Sequence, residues 1–290
     1  MDAQPKSVLV GVDGSACAQQ ALVWAAADAA ARGAGLTVAA VVELPRLADV
    51  PMTAQLLDTA GRTGQTIADK AAARARAMTP GTTVVSRIAT GDAAAELLRL
   101  ATGIGTEEVV VGSRGDGGFA ALLLGSVGCQ VAAHADRPVV VVRGDAAAGG
   151  PVVVGLDGSD HSEIALEYGF GYADRHRLPL LVLHVDAPDV FMYPMVPTPY
   201  PVPQELARIR TQITLATEEI VGRWAAKYPG VRADSAVRAG QAAEQLIEAS
   251  RDAALLVVGS RGHGRLTGML LGSVSQAAVR HAHCPVAVVR

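Results

Sequence analysis

The chain has 290 residues, half of them hydrophobic and 3% aromatic, which suits two domains of ordinary size packed mainly by Ala, Val and Leu. The net charge of −3 falls almost evenly, −2 on residues 1–145 and −1 on 146–290. Neither half therefore has the basic face that would make nucleic acid the main partner.

Taken in order, residues 7–12 are a short apolar run leading into Gly11, Val12, Asp13, Gly14 and Ser15. Such a run reads as a buried parallel strand that stops in a loop. Asp13 then lies at the carboxyl end of the strand, where open α/β sheets bind ligands. An acidic cap on the next helix is the other reading of Asp13, although Ser15 is the better cap. Residues 16–32 are Ala-rich and helical, with Leu22, Ala25, Ala26 and Ala29 on one face and Gly33 as the stop. Further strands are predicted at 36–42, 84–89, 107–111 and 138–143, and helices at 54–78, 92–102 and 126–135. Residues 44–53, with Pro45 and Pro51, read as a loop. The alternation predicts an α/β fold: a parallel, doubly wound, five-stranded sheet with helices on both faces.

Residues 144–150 read as a flexible linker. The pattern then repeats, with strands at 152–156, 180–185, 234–238, 255–258 and 285–289. Helices follow at 162–177, 204–228, 242–250 and 273–282. Residues 151–290 are thus expected to be a second domain of the same kind as 1–143, a tandem duplication and not a solenoid. One segment breaks the repeat: 188–203 holds six prolines with Phe191, Tyr193 and Tyr200. It reads either as a surface loop packed on its own aromatics or as a lid or docking patch beside the second site.

One stretch occurs twice. Residues 112–126 read G-S-R-G-D-G-G-F-A-A-L-L-L-G-S and residues 259–273 read G-S-R-G-H-G-R-L-T-G-M-L-L-G-S. Each follows an apolar strand and precedes a helix, and each has the spacing G-x2-G-x9-G-S. Glycines let a backbone come close to a ligand. Loop N–H groups, a helix start and an arginine (Arg114, Arg261) together favour a phosphate. A tight turn with serine as helix cap is the plain alternative for a single copy.

Upstream in both halves lies a second shared signature, V-L-V-G-V-D-G-S from Val8 and V-V-V-G-L-D-G-S from Val152. With both motifs in order, twice, nearly the whole chain resembles the ATP-binding class of the universal stress protein family. The resemblance implies two tandem Rossmann-like, adenine nucleotide alpha-hydrolase-like domains. Each would hold one ATP, with Mg²⁺ kept largely by phosphate oxygens and water. It implies phosphate contacts at Gly112, Arg114, Gly115, Gly125 and Ser126, and at Gly259, Arg261, Gly262, Gly272 and Ser273. Val111, Val127, Val258 and Val274 flank these. Asp13 and Asp157, with Gly11, Val12, Gly155 and Leu156 beside them, and the backbone at Val41 and Val185 would hold the adenosine end.

In that family a Ser or Thr at the place of Ser275 often helps hold phosphate. Gly128 stands there in the first copy, so the first site is expected to bind somewhat more weakly. The resemblance further implies a regulator of stress response or growth and not an enzyme. It implies a homodimer, with the two domains packed as a pseudo-twofold pair through 138–143 and 285–289. A slow ATPase or self-phosphorylating enzyme, a cAMP-binding buffer and a partner-binder with empty pockets remain as alternatives.

Other patterns carry less. No apolar run reaches the roughly 18 residues of a membrane span, and no signal-peptide core follows residues 1–6. Cys17, Cys129 and Cys284 form no C-x-x-C pair, which fits a reduced cytoplasm without structural zinc. His281, His283 and Cys284 look like a metal cluster, but residues two apart on a helix do not face one another and no fourth ligand is near in sequence. No Walker A loop is present. The run Gly262, Gly264, Gly268 follows the fourth strand of its half, the wrong place for a dinucleotide fingerprint. No nucleophile elbow occurs.

Overall fold

The structure, a computed structural model, describes residues 6–43, 54–115, 125–144, 149–186, 203–262 and 271–290, with the side chains of 54–56 and 203–206 set aside. The expected loop at 44–53, the Pro-rich stretch up to residue 202 and most of the expected linker lie outside the described residues, as do His263, Gly264 and Gly268. Two compact units are present: Met1–Gly144 with Pro285–Val288, and Asp145–Cys284 with Val289–Arg290.

The first unit contains β1 (Ser7–Gly11), α1 (Ala16–Arg32), β2 (Gly35–Val42), α2 (Ala54–Met78), β3 (Val84–Thr90), α3 (Ala93–Gly103), β4 (Glu108–Gly112), α4 (Ser126–His134) and β5 (Val139–Val142). Its strands lie in the order β3-β2-β1-β4-β5, all parallel. The central strands are apolar on both faces because both are covered. Val8, Leu9, Val10, Val109 and Val110 are fully buried. Helices α1 and α2 pack together on one face, α3 and α4 on the other. A Cβ at Gly64 of α2 would lie 2.5 Å from Val42 Cγ2, so that helix meets the sheet at glycine distance. On α1, Leu22, Ala25, Ala26 and Ala29 are buried as the apolar spacing predicts. The helix ends at Gly33, whose φ of 64° no β-carbon opposes.

The second unit contains β6 (Val152–Leu156), α5 (Asp160–His176), β7 (Leu180–Asp186), α6 (Pro203–Lys227), β8 (Ala233–Ala239), α7 (Ala242–Ala249), β9 (Leu255–Gly259) and α8 (Ser273–His281). Its parallel strands run β9-β6-β7-β8. Phe170 is fully buried and stacks on Trp224 of α6 and on Tyr228 just past its end, with ring centroids 6.0 and 5.7 Å away. The last strand, β10 (Val286–Val289), contributes Val286–Val288 to the first unit, antiparallel to β5 with Val286 opposite Val141. It is the antiparallel member of an otherwise parallel set, since all other described pairs are parallel.

In both units the chain leaves the central strand in opposite directions. β1 lies between β2 and β4, and β6 between β7 and β9. The carboxyl ends at this switch leave a crevice, because the two following connections diverge to opposite faces. Asp13 and the loop after Gly112 border it in the first unit, and Asp157 and the loop after Gly259 in the second.

A charged cluster sits at the far end of the first unit. Asp28 and Glu108 are both fully buried, and Arg32 joins them, through Nε to Asp28 and through Nη2 to Glu108 Oε2 at 2.7 Å. The matching positions of the second unit are Tyr172, His176 and Leu255, and there the Tyr172 and His176 rings stack with centroids 4.1 Å apart. Arg32→Met strips the guanidinium from two buried carboxylates and is expected to cost about 3 kcal/mol. Urea unfolding checks it: the midpoint falls in Arg32→Met and largely recovers when Asp28 and Glu108 are also made Leu.

Candidate functional site

Each loop is closed at its base by one serine peptide group. Ser113 N–H donates to the Val142 carbonyl at 2.9 Å, and the Ser113 carbonyl accepts from Gly125 N–H at 2.7 Å. Ser260 repeats this with Val289 at 2.7 Å and Gly272 at 2.8 Å. The two ends of the loop are thereby tied together, and the helix starts beside the end of its strand. Both serines are nearly fully buried.

The helix caps at these loops are Gly125 and Gly272, not the serines that follow them. Glycine has no side chain to cap with, and among the described residues no side-chain cap is made at either helix. Ser126 and Ser273 are therefore first-turn residues with exposed side chains. A serine cap would occupy one first-turn N–H; a glycine cap leaves those donors facing the crevice. The partial positive charge of the helix start adds to them.

Across the crevice, Asp13 Oδ1 accepts from Ser15 N–H at 2.9 Å. Asp157 Oδ1 accepts from Ser159 N–H at 3.0 Å and from its hydroxyl at 2.6 Å. These turns require Gly14 and Gly158 at φ of 91° and 83°. Asp13 is thus oriented by its own turn and does not cap α1; Ser15 does so, accepting from Ala18 N–H at 3.2 Å. The second Oδ of each aspartate lies against the loop glycine. A Cβ on Gly115 would sit 2.5 Å from Asp13 Oδ2, and one on Gly262 would meet Asp157 Oδ2 in the same way. These glycines are needed for close approach of the two motif halves. Gly112 and Gly259 serve packing: a Cβ there would come 2.8 Å from Cys17 C and from His161 Cβ, respectively.

Two cavities result, of about 430 Å³ in the first unit and about 400 Å³ in the second. The first is lined by Gly11, Val12, Asp13, Val41, Val111, Gly112, Arg114, Gly115, Gly125, Ser126 and Val127. The second is lined by Gly155, Leu156, Asp157, Val185, Val258, Gly259, Arg261, Gly262, Gly272, Ser273, Val274 and Ser275. Every residue expected at a site from the sequence thus borders its cavity, and both volumes fall in the usual range for small-ligand pockets. A wider bay of about 810 Å³ at the opposite strand ends of the first unit, near Lys6, Thr37 and Arg87, is bordered by the turns that follow the ends of α1 and α2, at Gly33 and Gly81.

Sequence reasoning missed several lining residues. Leu97 and Ala93 wall the first cavity, Leu246 and Ala242 the second, and Glu43 stands at the rim of the first. Ser113 and Ser260 were legible as the shared serine of G-S-R-G, but their role depends on a fifth strand far away in sequence. Among the described residues no group of three His, Cys, Asp or Glu is placed to hold a metal ion. No helix there is long and apolar enough to cross a membrane.

Ser275 has a role that spacing did not reveal. Its buried hydroxyl lies 3.0 Å from the Ser260 carbonyl and 2.9 Å from the Gly272 carbonyl, bracing the first turn of α8 against the loop base. Gly128 leaves α4 without this brace. Ser275→Ala is expected to lower stability by about 1 kcal/mol, read as a lower thermal midpoint. Gly128→Ser is expected to raise it.

Comparison with known proteins identifies the family. The model of the universal stress protein family matches residues 5–143 and again 150–290. A universal stress protein of Mycolicibacterium smegmatis is 36% identical over 98% of this chain and 96% of its own length. One from Mycobacterium tuberculosis is 34% identical with the same coverage. The crystal structure of a universal stress protein from Archaeoglobus fulgidus superposes with a TM-score of 0.72 at 22% identity, covering 99% of this chain and 97% of that one. The chain belongs to the universal stress protein family and carries its domain twice in tandem.

Proposed function

We propose that each unit binds one ATP-type nucleotide and that occupancy makes the chain a regulator of stress response or growth in the cytoplasm, not an enzyme. The observation that carries this reading is the uncapped start of α4 and of α8, each opening on a cavity with an arginine beside it. Those N–H groups and the Gly115 or Gly262 turn would hold the phosphates, with Arg114 or Arg261 adding charge. Asp13 and Asp157, one strand away, would face the ribose. The backbone at Val41 or Val185 would hold the base. Mg²⁺ would accompany the nucleotide through phosphate oxygens and water. A homodimer of the whole chain belongs to the same reading.

No residue bordering either cavity has the arrangement of a nucleophile with its base among the described side chains, and slow hydrolysis therefore stands second. Gly115→Ala and Gly262→Ala would push each aspartate out of place and are expected to lower nucleotide affinity at least tenfold per site. Protein purified without added nucleotide is denatured and the released small molecules are identified by mass spectrometry. ATP or ADP from the native chain, absent from the double variant, supports the reading. No release, followed by no binding of ATP or cAMP in titration, overturns it. Turnover of bound ATP would move the chain to the enzyme class.

A further inference from the structure

Among the described residues, the first cavity is bordered by an acid, Glu43, that has no counterpart in the second. Glu43 directly follows β2, borders the cavity, and its Oε1 accepts from Ala93 N–H, the first residue of α3, at 3.2 Å. That bond fixes the carboxylate and leaves Oε2 with no described partner. By register the matching residue of the second half is Ala187: Gly91 N–H bonds the Val42 carbonyl as Gly240 N–H bonds that of Asp186, so 43 corresponds to 187. Alanine offers no side-chain acceptor, whatever its position.

We infer that Glu43 is a base-selecting residue of the first site, accepting a hydrogen bond from the exocyclic amine of a 6-aminopurine. The inference rests on the nucleotide reading above. The sheet order supplies the ruler. The phosphate end belongs to the loop after β4, Asp13 ends β1, and Glu43 ends β2, so Glu43 stands two strand spacings, roughly 10 Å, from the phosphates. A nucleotide laid along these strand ends sets its ribose over β1 and its base over β2. The surrounding wall there is Ala39, Val41 and Leu97, which suits a flat ring, with Glu43 as the polar group at its edge. A carboxylate is acceptor-only. It welcomes the 6-amine of adenine and opposes the 6-oxo group of hypoxanthine. A site that hydrogen-bonds a polar group rejects the analogue that cannot reciprocate.

The test uses the full chain with Gly262→Ala, so that the first site is read alone, titrated with ATP, ITP and 2′-deoxy-ATP. With Glu43 present, ATP is expected to bind about tenfold tighter than ITP. In Glu43→Gln the side-chain carbonyl can keep the Ala93 bond while the amide donates to a 6-oxo group, so the preference should vanish or reverse. The ratio of ATP to 2′-deoxy-ATP should stay unchanged. In the Gly115→Ala chain, which leaves the second site, Glu43→Gln should not move the ATP to ITP ratio. An unchanged ATP to ITP ratio in the first site, or a change in the 2′-deoxy ratio instead, overturns the role of Glu43 and leaves nucleotide binding intact. Failure of the Gly262→Ala chain and of the native chain to bind ATP overturns both.

Discussion

One peptide group in each unit sets where the helix start stands beside the crevice. The N–H of Ser113 is fixed to β5 and its carbonyl to Gly125, so β4, β5 and the start of α4 meet at one residue. The loop can be long and glycine-rich because its two ends are already joined. The helix start can remain uncapped because its direction is held by the loop base and not by a side chain. Ser260 does the same between β9, Val289 and α8. The anion-favouring character of the site is thus a consequence of backbone bonding, which explains why so few charged side chains are needed there.

The two units keep this backbone and differ in what supports it. The first stabilises the far end of α1 with the Asp28, Arg32 and Glu108 cluster, and the second places an aromatic stack and a leucine at those positions. At the entry turn, Ser15 caps α1 directly, whereas Ser162 accepts from Gly158 N–H and donates to the Ser159 carbonyl. At the exit, Ser275 braces α8 where α4 has Gly128. Substitutions of this kind change the strength of the frame without moving the crevice, since each acts outside the glycine and aspartate positions.

Much of the fold was legible because its physics is local. Continuous apolar runs such as Val8–Val10 mark strands covered on both faces, Gly33 marks a helix end, and the twofold repeat supplied the order of elements. The aspartate and glycine motifs were legible because glycine leaves a spacing signature where backbones approach. What sequence reading did not reveal depends on partners distant along the chain. Glu108 looks like the polar edge of a strand until Arg32, 76 residues away, is beside it. Gly125 acts as the cap in place of Ser126 because the Ser113 carbonyl holds its N–H, a bond that no nearby spacing announces. Ser275 spans 15 residues to reach the Ser260 carbonyl, and its side chain could equally have faced a ligand until that bond was seen.

The contact between Gly115 and Asp13 ties together two positions about a hundred residues apart. Neither can drift alone: a side chain at 115 meets the carboxylate, and a longer acid at 13 meets the loop. Any path from this site to one with a different loop residue must pass through an intermediate that fits badly, unless the acid is lost or turns first. The order of substitutions is then constrained, and the same constraint operates independently at Gly262 and Asp157. A chain with two copies can leave one pocket intact while the other crosses that barrier, so duplication gives this fold a way for one crevice to acquire a new ligand while its twin retains the old one.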